Sequence, residues 1–548
     1  MKLKLLVLAM AALPLLLCSS ALGQTYAITN ARIVTVSGAP IERGTVVVRN
    51  GLIDSVGANV SAPADAKVID GTGLTVYPGF IDGLTGLGIQ APTAATTGGG
   101  GAGGRQTQPQ NQPSTSNYPA GLRPEETVYD DLSATDSLYE TNRNAGFTTV
   151  VTVGRTGIFN GQSAVIDLGG DSVSSMIVKS PFAEHVSFVT VGGGQYPASL
   201  LGTFSALRQM LLDAQRLQEL QKMYAANPRG MRRPEADRSL EALIPILNRQ
   251  MPVVFNANRE IEIVRALDLA KEFNLRAIIA GGQEAWKLTD RLKSQNVPVL
   301  LSMDFPKRTT SVSAEADPES IEILRLRAET PKGPARLAQA GVKFGFLSGS
   351  LRSINDFFAN AGKTTENGLS RDAAIRAMTL STAEILGLDD RLGSIEPGKI
   401  ANLAVVRGDL FGKDKFVSQV FVDGKLFEPK EPPRTATTRG GGAQPSTNLP
   451  NVGGNYTITI EIPGQPLQAT LAFTQQGAIL TGSMQSQLGT TPIRDGKVTP
   501  EGFSFSGTVE FAGSTIEILV KGTVTGNQIS GTIDSAQGPV TFSGTRNP

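Results

Sequence analysis

The sequence predicts an α/β protein in which a (β/α)8 TIM barrel is combined with a small composite β-sandwich and followed by a separate all-β domain. Three observations support this. Residues 78–390 alternate short, continuously apolar stretches with amphipathic helical periods, which is typical of a parallel sheet covered on both faces. Two β-rich patches, at residues 24–77 and 391–428, flank that region. Residues 455–548 contain short strand patterns and no helical period, which favours an antiparallel barrel or sandwich.

Length and composition describe an ordinary globular chain. At 548 residues it is long enough for three or four domains of roughly 150 residues each. The 50 Lys and Arg residues balance 49 Asp and Glu residues, for a formal charge of +1. A nucleic-acid partner would require a clustered excess of basic charge, so we expect none.

The first 23 residues have the pattern of a signal peptide. Lys2 and Lys4 precede an apolar run over residues 5–17, and Ala21-Leu22-Gly23 gives a small-x-small cleavage site. The run is shorter than the ~20 residues that span a bilayer, so no transmembrane segment is predicted. We therefore expect an exported protein, periplasmic or secreted, whose mature chain begins near Gln24.

Cys18, the only cysteine, lies inside this segment. Lipidation of Cys18 is an alternative, disfavoured because Leu17 stands where lipoprotein signals carry a small residue. If cleavage follows Gly23, the mature chain has no thiol, which excludes disulfides and cysteine nucleophiles.

The two flanking patches predict one sandwich built from both ends of the barrel region. Residues 44–49 and 52–56 read as strands joined by Asn50-Gly51, a strong hairpin signature. Residues 401–406 and 419–422, the latter closed by Asp423-Gly424, repeat the pattern.

Between the patches, apolar strands are predicted near residues 147–153, 252–255, 276–280, 298–301 and 342–347. About 310 residues suit an eight-fold barrel. Residues 91–122 interrupt the barrel after its first strand, and residues 429–454 follow the second patch. Both stretches are rich in Gly, Pro and small polar residues, so we expect a flexible insertion near the barrel mouth and a flexible linker.

Beyond the linker, Ser-Gly-Thr recurs at residues 506–508, 530–532 and 543–545. This repeat accompanies about eight predicted strands in the C-terminal domain.

Residues 76–88 read VYPGFIDGLTGLG and resemble the opening motif of the metal-dependent amidohydrolases, in the imidazolonepropionase-like branch, where the pattern is Pro-Gly-x-Ile-Asp-x-His-x-His. Residues 144–150 and 387–403 resemble two further parts of that family. The resemblance covers residues 25–428. It implies a TIM barrel, a catalytic metal, and hydrolysis of non-peptide C–N bonds.

The same resemblance places non-ligating residues at the family's metal-ligand positions. A catalytic zinc binds imidazole nitrogen, thiolate or carboxylate, and activates a water molecule. We therefore predict no bound metal, no cofactor, no catalytic residues of the family type and no metal-dependent hydrolysis. The five residues are Leu84, Gly86, Asn256, Gly281 and Gly349.

His185 is the only histidine, so no second imidazole cluster can replace the missing ligands. A general base beside Glu184 is one interpretation of His185. A structural histidine is favoured, because adjacent strand residues point to opposite faces. An oxygen-only cation site from Asp82, Asp304 or Glu284 is a further alternative.

Three functions remain open. The first is a binding or partner protein on the amidohydrolase fold, taking a small molecule at the barrel mouth or another protein. The second is a divergent, metal-independent hydrolase that uses Asp82, Asp304 or Glu284. The third is attachment to an envelope or glycan through the C-terminal β-domain.

Overall fold

The structure is a computed structural model that describes residues 24–89, 118, 121–154, 157–190, 196–308, 319–349, 351, 353–412, 414–430, 449–461, 467–487, 489–499, 502–511, 514–535 and 540–547. The proposed signal peptide, most of the 91–122 insertion and the middle of the 429–454 linker lie outside these residues. The chain divides into two compact units, Met1–Arg434 and Thr435–Pro548. Within the described part of the chain, no helix combines the length and apolarity needed to cross a membrane.

The first unit contains eighteen strands and eleven α-helices among its described residues. The strands are β1 (Tyr26–Ile33), β2 (Ile41–Arg49), β3 (Leu52–Gly57), β4 (Lys67–Asp70), β5 (Leu74–Pro78), β6 (Phe80–Thr85), β7 (Phe147–Thr152), β8 (Phe159–Gln162), β9 (Ala164–Asp167), β10 (Ile177–Lys179), β11 (Glu184–Ser187), β12 (Val253–Ala257), β13 (Ala277–Gly281), β14 (Val299–Ser302), β15 (Phe344–Leu347), β16 (Leu403–Arg407), β17 (Phe416–Val422) and β18 (Lys425–Phe427).

The helices are α1 (Glu140–Asn144), α2 (Val173–Met176), α3 (Leu200–Ala226), α4 (Arg238–Leu247), α5 (Glu260–Glu272), α6 (Thr289–Ser294), α7 (Ile321–Glu329), α8 (Gly333–Ala340), α9 (Ile354–Glu366), α10 (Arg371–Ala377) and α11 (Leu380–Leu386).

The two flanking patches combine into one sheet. Its strand order is β18-β17-β16-β5-β1-β2-β3, with β4 paired to β1. The turn at Asn50 and Gly51 has positive φ at both residues, as the Asn-Gly signature predicts, and Asp423-Gly424 repeats it. Strands from both flanking patches thus take part in it. They are joined in a single hydrogen-bonded sheet, whereas the sequence predicted a sandwich.

Two sheets form the wall of the TIM-barrel domain, with the strand orders β10-β9-β7-β6 and β15-β14-β13-β12-β11-β8. Strands β11 to β15 pair in parallel, and so do β6 and β7. Strand β15 returns to β6, where the Ser348 N–H donates to the Asp82 carboxylate at 2.8 Å. The interior is packed with apolar side chains, among them Ile81, Val151, Val254, Ile278 and Leu300.

One part of the barrel wall, formed by β8 and β9, departs from the predicted regular (β/α)8 pattern. Strand β9 is antiparallel to β7, and β8 is antiparallel to β11. Ser163 joins β8 to β9, and its backbone pairs with Phe182 and Ala183 at the start of β11. Alternation of helices and strands predicts parallel strands. It does not predict a short antiparallel segment that lacks a covering helix, so the sequence did not reveal β8 and β9.

The second unit is a closed antiparallel barrel of eight strands, with β22 as a short extra strand on β21. Each strand pairs with the next along the chain, apart from β22, and β27 closes the ring on β19. Its interior is filled by aromatic and aliphatic side chains, including Tyr456, Phe473 and Phe505. The nine strands are β19 (Gly454–Glu461), β20 (Leu467–Gln476), β21 (Ile479–Ser486), β22 (Gly489–Pro492), β23 (Arg494–Thr499), β24 (Gly502–Phe511), β25 (Ser514–Thr525), β26 (Gln528–Ser535) and β27 (Val540–Arg546).

The Ser-Gly-Thr repeat now has a physical reason. A Cβ on Gly531 would collide with the Lys521 carbonyl oxygen of the neighbouring strand, and one on Gly544 with the Thr457 carbonyl oxygen. Only glycine permits this backbone approach, so two of the three repeats, at residues 530–532 and 543–545, mark places where adjacent strands of the small barrel crowd together.

Candidate functional site

The carboxyl ends of the parallel strands form the barrel mouth, the face where TIM-barrel proteins place their active sites. All five residues predicted at the family's ligand positions lie at this end. Leu84 is near the end of β6 with Gly86 just beyond it, Asn256 is near the end of β12, Gly281 ends β13, and Gly349 follows β15. The Gly349 N–H points at the Leu84 carbonyl oxygen, 3.4 Å away.

Asn256 belongs to a hydrogen-bonded cluster of neutral side chains at the mouth. Its Nδ2 donates to Ser187 Oγ at 2.8 Å and lies 3.4 Å from Asn160 Oδ1. The Ser187 hydroxyl donates to the same Asn160 oxygen at 2.7 Å. All three side chains are partly exposed. We call Asn160, Ser187 and Asn256 the polar triad.

The sequence analysis found Asn256 but missed Asn160 and Ser187. Asn160 lies on β8, 96 positions before Asn256, and Ser187 lies on β11, 69 positions before it. Parallel register brings Ser187 opposite Asn256. The polar side chain of Ser187 at the end of the Glu184–Ser187 strand was the one available indication.

A side chain at Gly281 would be strained in its present conformation. Its φ is +96°, and a Cβ would collide with the Asn258 side-chain oxygen. The residues of β13 that pack into the barrel interior are Ile278 and Ala280, so Gly281 lies one position beyond the inward-facing pair.

Gly86 and Gly349 differ from each other in the space around them. A Cβ on Gly86 would be 3.8 Å from the Val153 carbonyl oxygen, its nearest neighbour, so a side chain fits there. Gly349 has φ of +61°, which is strained for other residues, and Ser302 Oγ would be 3.2 Å from its Cβ.

Asp82, the aspartate of the opening motif, is fully buried, and its carboxylate accepts hydrogen bonds from backbone N–H groups. Its Oδ1 accepts from the Ser348 N–H at 2.8 Å and from the Leu84 N–H at 3.3 Å, whereas Oδ2 has no hydrogen-bond partner. Burial raises the pKa of this carboxyl to about 6, against the opposing effects of the Ser348 side chain and of those N–H donors. The arrangement fastens the first strand to the last.

Glu284 and Asp304, the other two predicted oxygen donors, make hydrogen bonds with other residues and none with Asp82. Glu284 accepts from the Glu260 N–H at 2.7 Å and from Lys287 Nζ at 2.8 Å. The Lys287 and Glu260 bonds lower the pKa of Glu284 although burial opposes them. The Asp304 backbone carbonyl accepts from Gln283 Nε2, and its N–H donates to Ser302 Oγ. The Glu284 carboxylate therefore has a local structural role, whereas the hydrogen bonds of Asp304 are made by its backbone.

His185 faces a different part of the barrel from the mouth. It is 1% exposed, and its Nε2 is 2.8 Å from Ser163 Oγ, while Nδ1 has no hydrogen-bond partner. Burial lowers the pKa of the imidazole to about 3, so it is neutral at physiological pH. Glu184, its neighbour on the strand, makes no hydrogen bond to it.

These side chains do not fit a catalytic zinc. Leucine and glycine offer no donor atom in their side chains, and Asn256 offers a single neutral amide oxygen, whereas a catalytic zinc has three protein ligands of the imidazole, thiolate or carboxylate type. Over the described ranges, no group of three or more His, Cys, Asp and Glu side chains converges as metal ligands would.

The fold and the position of this site define a TIM-barrel protein carrying its candidate site at the strand ends. Residues 263–427 match the family model described as Amidohydrolase family. The structure is similar to an amidohydrolase from Thermotoga maritima, with 26% identity, a TM-score of 0.60, and coverage of 74% of this chain and 100% of that one. The family match over residues 263–427 and this structural similarity both support the amidohydrolase resemblance that the opening motif indicated.

Two weaker similarities have TM-scores too low to carry an argument. One is a putative prolidase from Bifidobacterium longum, with 18% identity, a TM-score of 0.45, and coverage of 75% of this chain and 97% of that one. The other is an adenosine deaminase from Xanthomonas campestris, with 16% identity, a TM-score of 0.41, and coverage of 73% and 92%. No curated protein sequence matches the chain significantly.

Proposed function

We propose that this protein is an exported amidohydrolase-fold protein that has lost metal-dependent hydrolysis and works by binding. The observation that carries the proposal is the set of side chains at the strand ends. Leu84, Gly86 and Gly349 provide no ligand atoms where the family places its metal ligands. The sole histidine is buried beside Ser163 and cannot reach the mouth without unfolding its strand.

The polar triad supports an uncharged polar ligand at the mouth. Ser187, Asn160 and Asn256 carry no formal charge, and their mutual hydrogen bonds hold the three side chains in fixed orientations. The Asn256 Oδ1 has no hydrogen-bond partner within the described ranges and is available as an acceptor. A preorganised set of neutral donors and acceptors favours a hydroxyl- or amide-bearing molecule over an ion.

The metal half of the proposal is tested on the purified full chain. We expect no stoichiometric metal by mass spectrometry, weak and non-saturating heat on zinc titration, and no hydrolysis of a panel of N-acyl amino acids and ureides. Tightly bound zinc at one ion per chain, with chelator-sensitive hydrolysis, would overturn it.

The binding half is tested by screening neutral polyols, sugars and amides by ligand-observed NMR. Asn256→Leu keeps the side-chain size and removes its polar atoms, so it should abolish binding of any hit. Asn258→Leu is the matched control, because Asn258 is exposed beyond the same strand. Equal loss in both variants would contradict a site at the polar triad.

Export is tested by intact mass of the protein recovered from its native host. A mature N-terminus at or near Gln24 supports it, and a retained, lipid-modified Cys18 would replace it with membrane anchoring.

A further inference from the structure

The opposite end of the barrel contains a cavity of about 270 Å³. The residues around it precede the parallel strands: Phe182 comes before β11, Met251 before β12 and Arg276 before β13. Gln162 is the last residue of β8, which runs antiparallel to β11, and it therefore also lies at this end. We call this space the basal cavity. It is separate from the mouth, where TIM-barrel proteins place their chemistry.

The walls of the basal cavity are largely apolar. Phe182 and Met251 contribute side chains, and Pro181, Pro245 and Pro252 add rigid apolar surfaces. Ala242 and Pro245 belong to α4, so a helix covers one side. The volume of the cavity is near the ~300 Å³ lower limit of small-molecule sites, so the ligand must be small.

Two cations line the same cavity, and no carboxylate does. Among the described residues, neither Lys179 nor Arg276 forms an ion pair. Lys179 Nζ donates to the Leu386 carbonyl oxygen at 3.2 Å and lies 5.5 Å from the centre of the Phe182 ring. Burial lowers the pKa of Lys179, the charge of Arg276 lowers it further, and Asp390 acts in the opposite direction. Two like charges held near each other at an apolar cavity leave an attractive position for an anion.

We propose that the basal cavity binds a small organic carboxylate with an apolar body. The carboxylate lies between Lys179 and Arg276, and the apolar body packs against Phe182, Met251 and the prolines. Gln162 and Gln250, whose side chains also line the cavity, supply neutral donors at its edge. This inference is independent of the proposed function at the mouth, since it uses none of the same residues.

The test is calorimetric titration of the full chain with phenylacetate, which combines a carboxylate with one apolar ring. We expect one saturable site per chain. Phenylacetamide has nearly the same shape without the charge and should bind at least roughly tenfold more weakly, because a charge-assisted hydrogen bond is lost. Inorganic phosphate should bind no more tightly than phenylacetamide, since it cannot use the apolar wall.

Variants assign the site. Lys179→Met and Arg276→Gln should each weaken phenylacetate binding roughly tenfold or more. Ala242→Leu should block it by filling the cavity while leaving both charges in place. Lys271→Met, at an exposed lysine of α5, is the matched control and should bind normally.

The proposal fails if phenylacetate shows no saturable binding to the wild type. It fails equally if Lys271→Met weakens binding as much as Lys179→Met, which would mean that net charge alone is responsible. Loss of binding in Asn256→Leu would move the site to the mouth and also overturn it. Circular dichroism and the emission of Trp286, the only tryptophan, verify that each variant is folded.

Discussion

Asp82 holds the first strand of the barrel to the last by accepting a hydrogen bond from the Ser348 N–H at 2.8 Å. The two residues are 266 positions apart in the chain, so this bond closes the ring. The family motif places Asp82 beside the metal-ligand positions, yet here its two hydrogen bonds are accepted from the backbone N–H groups of Ser348 and Leu84.

Removing this carboxylate should destabilise the barrel, and more so in acid. Asp82→Ala leaves the Ser348 N–H buried without a partner, which costs about 1–3 kcal/mol. The folded pKa of about 6 exceeds the unfolded value near ~3.9, so the favourable contribution of Asp82 is complete below pH ~4 and falls as pH rises through 6. The loss at pH 8 should therefore be smaller than at pH 4, by up to about 3 kcal/mol.

Urea unfolding followed by Trp286 emission measures this, because Trp286 lies in the barrel. An equal loss at both pH values would show that Asp82 does not carry the raised pKa.

Asp167→Asn should stabilise the barrel above pH 7. Asp167 is buried, and its Oδ1 accepts from Thr149 Oγ1 at 2.5 Å and from Asn402 Nδ2 at 3.1 Å. Burial raises its pKa to about 7, although those two bonds lower it. Its contribution to stability is thus present below pH ~4 and lost progressively up to pH 7. Asparagine keeps the accepting oxygen and carries no charge.

We expect the free energy of unfolding of Asp167→Asn to exceed that of the wild type at pH 8, by up to about 4 kcal/mol, and to match it at pH 4. The control is Asp54→Asn at an exposed position, which should show no such difference. Destabilisation of Asp167→Asn at pH 8 would mean that the ionised form is the one the Thr149 and Asn402 bonds require.

Glu184→Gln tests a second buried acid. Its carboxylate is fully buried, and the Gly161 N–H acts on it without reaching hydrogen-bond geometry. Burial, and then the charges of Glu125 and Glu126, raise its pKa well above the usual range. Glutamine should therefore flatten the loss of stability that the wild type shows as pH rises above ~4. Thermal unfolding between pH 5 and 9 measures it, with exposed Glu42→Gln as control, and an unchanged slope would contradict the prediction.

Restoring imidazoles should restore metal affinity only where the backbone accepts them. Leu84→His, Gly86→His and Asn256→His together place three donors at strand ends with room for side chains. The triple variant should bind zinc at least roughly tenfold more tightly than the wild type, without hydrolysis, because the groups that orient ligand imidazoles are missing. Calorimetric titration measures the gain, and a folded variant with no gain would show that these positions do not converge.

Gly281→His alone should instead destabilise the barrel by about 1–3 kcal/mol, because its φ of +96° is strained for any side chain. The collision with Asn258 adds to that strain. Chemical unfolding measures the loss, and wild-type stability in this variant would show that the loop rearranges freely.

The small barrel should be intolerant of a single methyl group at its crowded strands. Gly544→Ala forces the Thr457 backbone away, so the calorimetric transition of the second unit should disappear or fall by more than ~10 °C. Ser543→Ala, at the exposed neighbour, should leave that transition within about 2 °C of the wild type. Equal effects in the two variants would remove the explanation given for the repeat.

The sequence by itself determined the local structure and the chemical inventory. The Asn50-Gly51 turn, the apolar strands that precede Asn256 and Gly281, and the alternating C-terminal strands follow from periodicity and turn chemistry, which act between near neighbours. A census of one histidine also required no coordinates, because an imidazole that is absent from the chain cannot ligate a metal.

Only the tertiary structure decided which distant residues meet. Asn160 and Ser187 reach Asn256 through strand register. The antiparallel direction of β8 depends on packing between segments that are far apart in the chain. The unusual pKa values of Asp82 and Asp167 arise from burial, and the two cations of the basal cavity meet because the end of β10, at Lys179, lies near the start of β13, which follows Arg276. None of these follows from local pattern, because each depends on the environment that the folded chain builds around a side chain.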